Sequence, residues 1–198
     1  MNDTEQSRFS ELIAAQKSGK AIGMVSLCTS NPYVLESAMR QARLTGETIL
    51  IESTSNQVNQ YGGYMGLTPF QFRQWVDRMK ERFQLLPGQV LLGGDHLGPN
   101  AWRAEPAESA LAKAAEMTAD YVRAGYTKIH LDASMSLGGE EASPGIETVA
   151  RRAAWLCQAA ERARLDLPSN APAPCYVIGT EVPPPGGAQK EAGELEIT

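Results

Sequence analysis

Few of the residue types that mark a specialised chain are plentiful here. The three cysteines, Cys28, Cys157 and Cys175, are odd in number and lack the paired spacing of a thiolate metal site. They predict reduced thiols and no disulfide framework. Positive charge is scattered: 18 basic against 23 acidic residues give a formal charge of −5, with no basic block. A nucleic-acid or anionic-membrane surface has no electrostatic footprint, so neither partner is expected. Long hydrophobic runs are missing as well. The longest, such as residues 21–28, are about the length of a strand, and the polar, acidic start has no apolar segment of the signal-peptide kind. The expectation is a cytoplasmic protein without a membrane span. No G-x-x-x-x-G-K-[ST] element occurs, and Gly62-Gly63-x-x-Gly66 follows a polar loop instead of a strand. No nucleotide cofactor is expected, and a kinase is poorly supported.

What the chain does have is an alternating pattern. Apolar runs rich in Val, Ile and Leu occupy residues 21–28, 48–54, 90–95, 127–132 and 175–181 and read as buried parallel strands. Residues 1–20 read as a leading helix, with a capping box from Asp3 to Gln6 and Phe9, Leu12 and Ile13 at helical spacing. Four later helices are expected to begin at Asn31-Pro32, Thr68-Pro69, Glu105-Pro106 and Ser143-Pro144, because proline fits the first helical position, whose N–H has no partner. The apolar faces of the last three are Phe72, Trp75, Val76, Met79 and Phe83, then Leu111, Ala115, Thr118 and Val122, then Ile146, Val149, Ala153, Leu156 and Ala160. Trp75, Trp102 and Trp155 are read as packing groups.

Strands alternating with helices leave two architectures, an open doubly wound sheet and a (β/α)8 (TIM) barrel. Each strand ends in a residue able to do chemistry: Cys28, Glu52, Asp95 with His96, His130 with Asp132, and Glu181. An open sheet gathers such groups at one switch point, whereas a barrel collects them from every strand at one rim, so the α/β barrel is favoured. The strand starts recur about every 38 residues, so eight units would need roughly 300 residues. Residues 1–198 are therefore expected to form one incomplete barrel domain, the N-terminal portion of a longer protein, with about five β/α units.

The two histidines are informative. His96 lies in Gly93-Gly94-Asp95-His96-Leu97-Gly98-Pro99-Asn100, where glycine allows close backbone approach. His130 shares strand parity with Lys128 and Asp132, opposite Ile129 and Leu131, which points it to the barrel interior. His96, His130 and Glu181 are the ligand types of a catalytic divalent ion, Zn, Mn or Co. Singly, an inward histidine is as often a hydrogen-bonded core residue, and Asp95 or Asp132 as often a helix cap; their coincidence at strand ends favours a site. The long loop after the second strand carries Asn56, Gln57, Asn59 and Gln60, neutral groups that suit a polyhydroxylated ligand as well as a solvated loop.

Four blocks together resemble the tagatose-bisphosphate aldolase non-catalytic subunit family (GatZ/KbaZ). They are Ile51-Glu-Ser-Thr-Ser-Asn-Gln-Val-Asn-Gln-Tyr-Gly-Gly-Tyr64, Leu92-Gly-Gly-Asp-His-Leu-Gly-Pro-Asn100, Ala124-Gly-Tyr-Thr-Lys-Ile-His-Leu-Asp-Ala-Ser-Met-Ser136 and Tyr176-Val-Ile-Gly-Thr-Glu-Val-Pro183. The resemblance implies a TIM barrel and a class II aldolase catalytic subunit as partner, in galactitol or N-acetylgalactosamine catabolism. It also implies a sugar-phosphate ligand, with Asn100 and Ser134 joining the loop amides as candidate contacts. By the same resemblance Asp95 is the acid/base and His96 a metal ligand, with Glu52 and Asp132 as further candidate catalytic carboxylates. Some related proteins are credited with divalent-metal-dependent 4-epimerase activity on ketohexose phosphates, which is the alternative function.

Overall fold

The computed structural model describes residues 3–140 and 144–179, with side chains from Phe9 onward. Glu181 and Ser143 lie outside the described residues, as do the side chains of the expected Asp3–Gln6 capping box. The elements run α1 (Asp3–Lys17), β1 (Val25–Cys28), α2 (Pro32–Thr45), β2 (Ile49–Thr54), α3 (Pro69–Arg82), β3 (Val90–Leu97), α4 (Ala107–Arg123), β4 (Lys128–Leu131), α5 (Ile146–Arg164) and β5 (Cys175–Ile178).

Local chemistry explains the helix starts. Asn31 accepts a hydrogen bond from the Tyr33 amide ahead of Pro32, and Thr68 with Gln71 forms a reciprocal capping box ahead of Pro69. The other two proline starts are displaced. Pro106 is itself the cap of α4, and α5 begins at Ile146 behind Gly145. Ile146, expected on the buried face, is 85% exposed, because the first turn of α5 projects beyond the core. β1 is shorter than expected: its pairing with β2 begins at Val25 opposite Ile49, so residues 21–24 have no strand beside them. α1 lies beneath the N-terminal ends of β1 and β2, where Leu12 and Ala15 line a cleft with Ile22, Val25 and Ile49. Trp75 and Trp102 pack against apolar clusters as expected, whereas Trp155 is 37% exposed. Among the described residues no helix is long and apolar enough to cross a membrane.

All strand pairs are parallel, in the order β1-β2-β3-β4-β5. This strictly sequential order has no reversal, which removes the switch point of a doubly wound sheet. Right-handed crossovers in one direction place every helix on the same side. Ile49, Ile51, Val90, Leu92, Ile129 and Leu131 face that side and pack with Leu35, Met39, Phe72, Val76 and Met117 in one core. By alternation the opposite face carries Ser26, Leu50, Glu52, Leu91, Lys128 and His130.

β1 and β5 form the two edges of the sheet, and their side chains are open: Val25 is 60%, Val177 40% and Ile178 73% exposed. Unpaired backbone beside exposed apolar groups favours association. Residues 1–198 expressed alone are expected to elute in size-exclusion chromatography as oligomers or aggregates. A soluble monomer with one cooperative thermal transition would contradict this.

Candidate functional site

Neighbouring residues on a regular strand point to opposite faces, so Asp95 and His96 should not meet the same partner. An irregularity in β3 removes this restriction. Gly94 pairs with Ile129 and Leu97 with Leu131, so β3 spends two residues, Asp95 and His96, where β4 spends only His130. His96 takes up the extra length with φ of 47°, a left-handed conformation that is uncommon outside glycine. The bulge brings both side chains to His130. Space for it comes from Gly98, where a Cβ would collide with the Asp132 carbonyl oxygen.

Asp95 Oδ1 lies 3.1 Å from His130 Nδ1 and 3.1 Å from His96 Nδ1, and the two imidazole centroids are 4.3 Å apart. Among the described residues, these are the His, Cys, Asp or Glu side chains whose ligand atoms converge in this way. Bonds of about 2.1 Å to one ion imply ligand-to-ligand edges of about 3.0–3.4 Å, a range that both Asp95–imidazole distances meet. Burial alone would raise the Asp95 pKa. The His130 hydrogen bond, the Lys128 ammonium and His96 outweigh burial and hold the carboxyl well below the usual carboxylate range. It is therefore the ionised form that faces the imidazoles. The nearby Cys28 thiol is pushed up to about 12 by desolvation and by the Asp95 and Glu52 carboxylates, which disfavours a thiolate ligand.

One row deeper, Glu52, Gly93 and Lys128 are neighbours across three strands. Lys128 Nζ reaches past Gly93 to bond Glu52 Oε1, and Ser26 Oγ donates to Glu52 Oε2. A Cβ at Gly93 would stand 2.7 Å from Glu52 Oε1, so the missing side chain makes room for the ion pair. Lys128 Nζ is also 3.6 Å from Asp95 Oδ1. Sequence reading noted only the parity of Lys128 and assigned it no role; the available signal was a lysine between apolar residues within a buried strand.

The remaining candidates are placed differently. Asp132 is 1% exposed and its Oδ1 accepts from both Ser134 N and Ser134 Oγ, at 3.0 and 2.6 Å, so the two residues close a turn after β4. Asn59 accepts from the Tyr61 and Gly63 amides and donates to Ser55 O, while Gln57 accepts from the Thr54 amide. Gln60 donates to Lys113 O. These amides knit the loop to itself and to α4. Asn56 is exposed and Asn100 half-buried. Glu181 falls outside the described residues; Gly179, two positions before it, approaches His130, where a Cβ would lie 3.6 Å from Nε2.

The family model described as D-tagatose-1,6-bisphosphate aldolase subunit GatZ/KbaZ-like matches residues 9–198. The proteins named D-tagatose-1,6-bisphosphate aldolase subunit GatZ from Escherichia coli (strain K12) and from Shigella boydii serotype 18 are each 48% identical over 187 residues, 94% of this chain and 44% of theirs. The chain thus spans less than half the length of these relatives. A crystal structure of a probable tagatose 6 phosphate kinase from Sinorhizobium meliloti 1021 is 46% identical with a TM-score of 0.74, covering 81% of this chain and 39% of that one.

Substituting Gly93→Ala tests the row beneath the rim. Overpacking against the Glu52 carboxylate is expected to cost about 1–3 kcal/mol in denaturant unfolding of the complete polypeptide. Replacing Glu52 by the shorter Asp in the same background should recover part of that loss, and no recovery would mean that the clash lies elsewhere.

Proposed function

The chain belongs to the D-tagatose-1,6-bisphosphate aldolase subunit GatZ/KbaZ-like family, and from that premise we propose that it works as the activity- and stability-supporting, non-catalytic subunit of a class II D-tagatose-1,6-bisphosphate aldolase. The observation that carries this reading is the 48% identity, over 94% of the chain, to proteins named as that aldolase's subunit. The partner is then a class II aldolase catalytic subunit. The setting is cytoplasmic breakdown of galactitol or N-acetylgalactosamine.

Residues 1–198 are, on this reading, a single domain: the first five units of a (β/α)8 barrel. Sequential parallel order, helices on one side, a polar rim at the strand ends and two open edges support this architecture. Three further strands would pair β5 with β1 and enclose Glu52, Lys128 and His130.

A second reading is favoured by the rim itself, since a purely supporting subunit has no need of a carboxylate 3.1 Å from each of two imidazoles. It is a divalent-metal-dependent 4-epimerase or aldolase acting on tagatose or fructose 6-phosphate. Asp95, His96 and His130 would hold the ion, with Glu181 a further candidate ligand. A bound Zn, Mn or Co ion supplies Lewis acidity toward a ketose carbonyl and its enediolate. Held ionised and engaged with the ion, Asp95 is poorly suited to the acid/base role that the resemblance implies, and both oxygens of Glu52 are occupied by Lys128 and Ser26.

Two measurements separate the readings. Added to a class II catalytic subunit, the complete polypeptide is expected to co-purify with it and to lengthen its inactivation half-life, as a ligand of the native state does. Unchanged inactivation at saturating polypeptide would reject the supporting role. Epimerisation of fructose 6-phosphate by the polypeptide alone, abolished by a chelator, would select the enzyme. In either case about one equivalent of divalent metal is expected, falling to background in the His96→Ala, His130→Ala double variant.

A further inference from the structure

Lys128 is deeply buried and incompletely used. Its side chain is 11% exposed and that of Glu52 is 7% exposed. An ammonium has three N–H donors. One goes to Glu52 Oε1, and Asp95 Oδ1, at 3.6 Å, is a charge contact beyond hydrogen-bond range. Glu52 is satisfied on both sides, by Lys128 and by Ser26, so it is fixed in place and holds the ammonium at a set position. A buried lysine needing only a counter-ion would be complete with Glu52. This one also leans toward the Asp95 carboxylate between two imidazoles, with N–H groups left over.

The charges define what such a site accepts. Glu52, Lys128 and Asp95 sum to one negative charge, and a divalent ion held by Asp95, His96 and His130 turns that total to one positive. An anionic oxygen then completes the balance, and two electrophilic positions, the ion and the free N–H groups of Lys128, are offered side by side. On the cation reading of the site proposed above, we infer that Lys128, positioned by Glu52, is a specificity-determining residue. It takes the second oxygen of an anion that chelates through adjacent oxygens, the enediolate of an α-hydroxyketone. A hydroxamate has the same charge and the same pair of oxygens and serves as its stable probe. Because the ammonium donates without losing its proton, no bond is made or broken at Lys128.

The test uses the complete polypeptide loaded with Co²⁺, whose visible spectrum reports coordination, titrated with acetohydroxamate. Lys128→Met is expected to keep Co²⁺ binding at the wild-type level or tighter, since a neighbouring positive charge is gone, and to weaken acetohydroxamate at least tenfold. The double variant Glu52→Gln, Lys128→Met leaves no unpaired buried charge and should show the same loss even if the single variant folds poorly. Lys128→Arg, which retains the charge, should recover part of the affinity. Co²⁺-loaded double variant binding acetohydroxamate as tightly as wild type would overturn the role of Lys128 while leaving the cation site intact. Failure of wild type to bind Co²⁺ would overturn the cation site and the lysine's role together.

Discussion

Glu52 and Lys128 are two charges buried on one face of the sheet, with the half-buried Asp95 beside them, and each of the buried pair is tolerable only because of the other. The Lys128 ammonium bonds one carboxylate and stands 3.6 Å from the other. Removing one member of such a group strands the rest, typically at a cost of about 3–5 kcal/mol. The arrangement demands a particular register: Glu52 beside Gly93, Gly93 beside Lys128, and no side chain in the middle position. A slip of one residue in either pairing would turn a charge into the apolar core. The ion pair thus constrains the sheet as well as the site.

The two faces of the sheet carry different burdens. One packs Ile49, Ile51, Leu92, Ile129 and Leu131 against helices and supplies cohesion. The other carries the polar ladder from Ser26 through Glu52 and Lys128 to Asp95, His96 and His130. Chemistry at strand ends over a rigid parallel sheet is the arrangement on which barrel sites depend. Of the two described non-glycine residues with left-handed backbone, Gln84 and His96, the second lies where that arrangement needs it.

Much of the fold was legible because its signals are local. β-branched runs located the strands, and Asn31-Pro32 and Thr68-Pro69 located helix starts through side chains that cap their own backbone. Pro106 and Pro144 carried less information, since the caps of α4 and α5 are Pro106 itself and Gly145, neither of which has a side-chain group to hold the first turn. The histidines were found by composition, yet their convergence was not readable. Strand alternation separates Asp95 from His96, and only the register shift against β4, a property of two strands at once, reunites them. The role of the loop amides is undetermined in the sequence for a similar reason. Asn59 and Gln57 offer the same groups to a sugar or to the backbone, and here the backbone takes them. The partner of Lys128 was not readable either, because it lies two strands away, across the gap that Gly93 leaves open.

The β3 bulge gathers Asp95, His96 and His130 into the proposed cation site. X-ray absorption at the zinc edge of the complete, Zn²⁺-loaded polypeptide tests it most directly. The expected spectrum shows two imidazole ligands with oxygen donors at about 2.0–2.1 Å, and loses one imidazole in His96→Ala and in His130→Ala alike. A shell without imidazole scattering, or one indifferent to both substitutions, would contradict it.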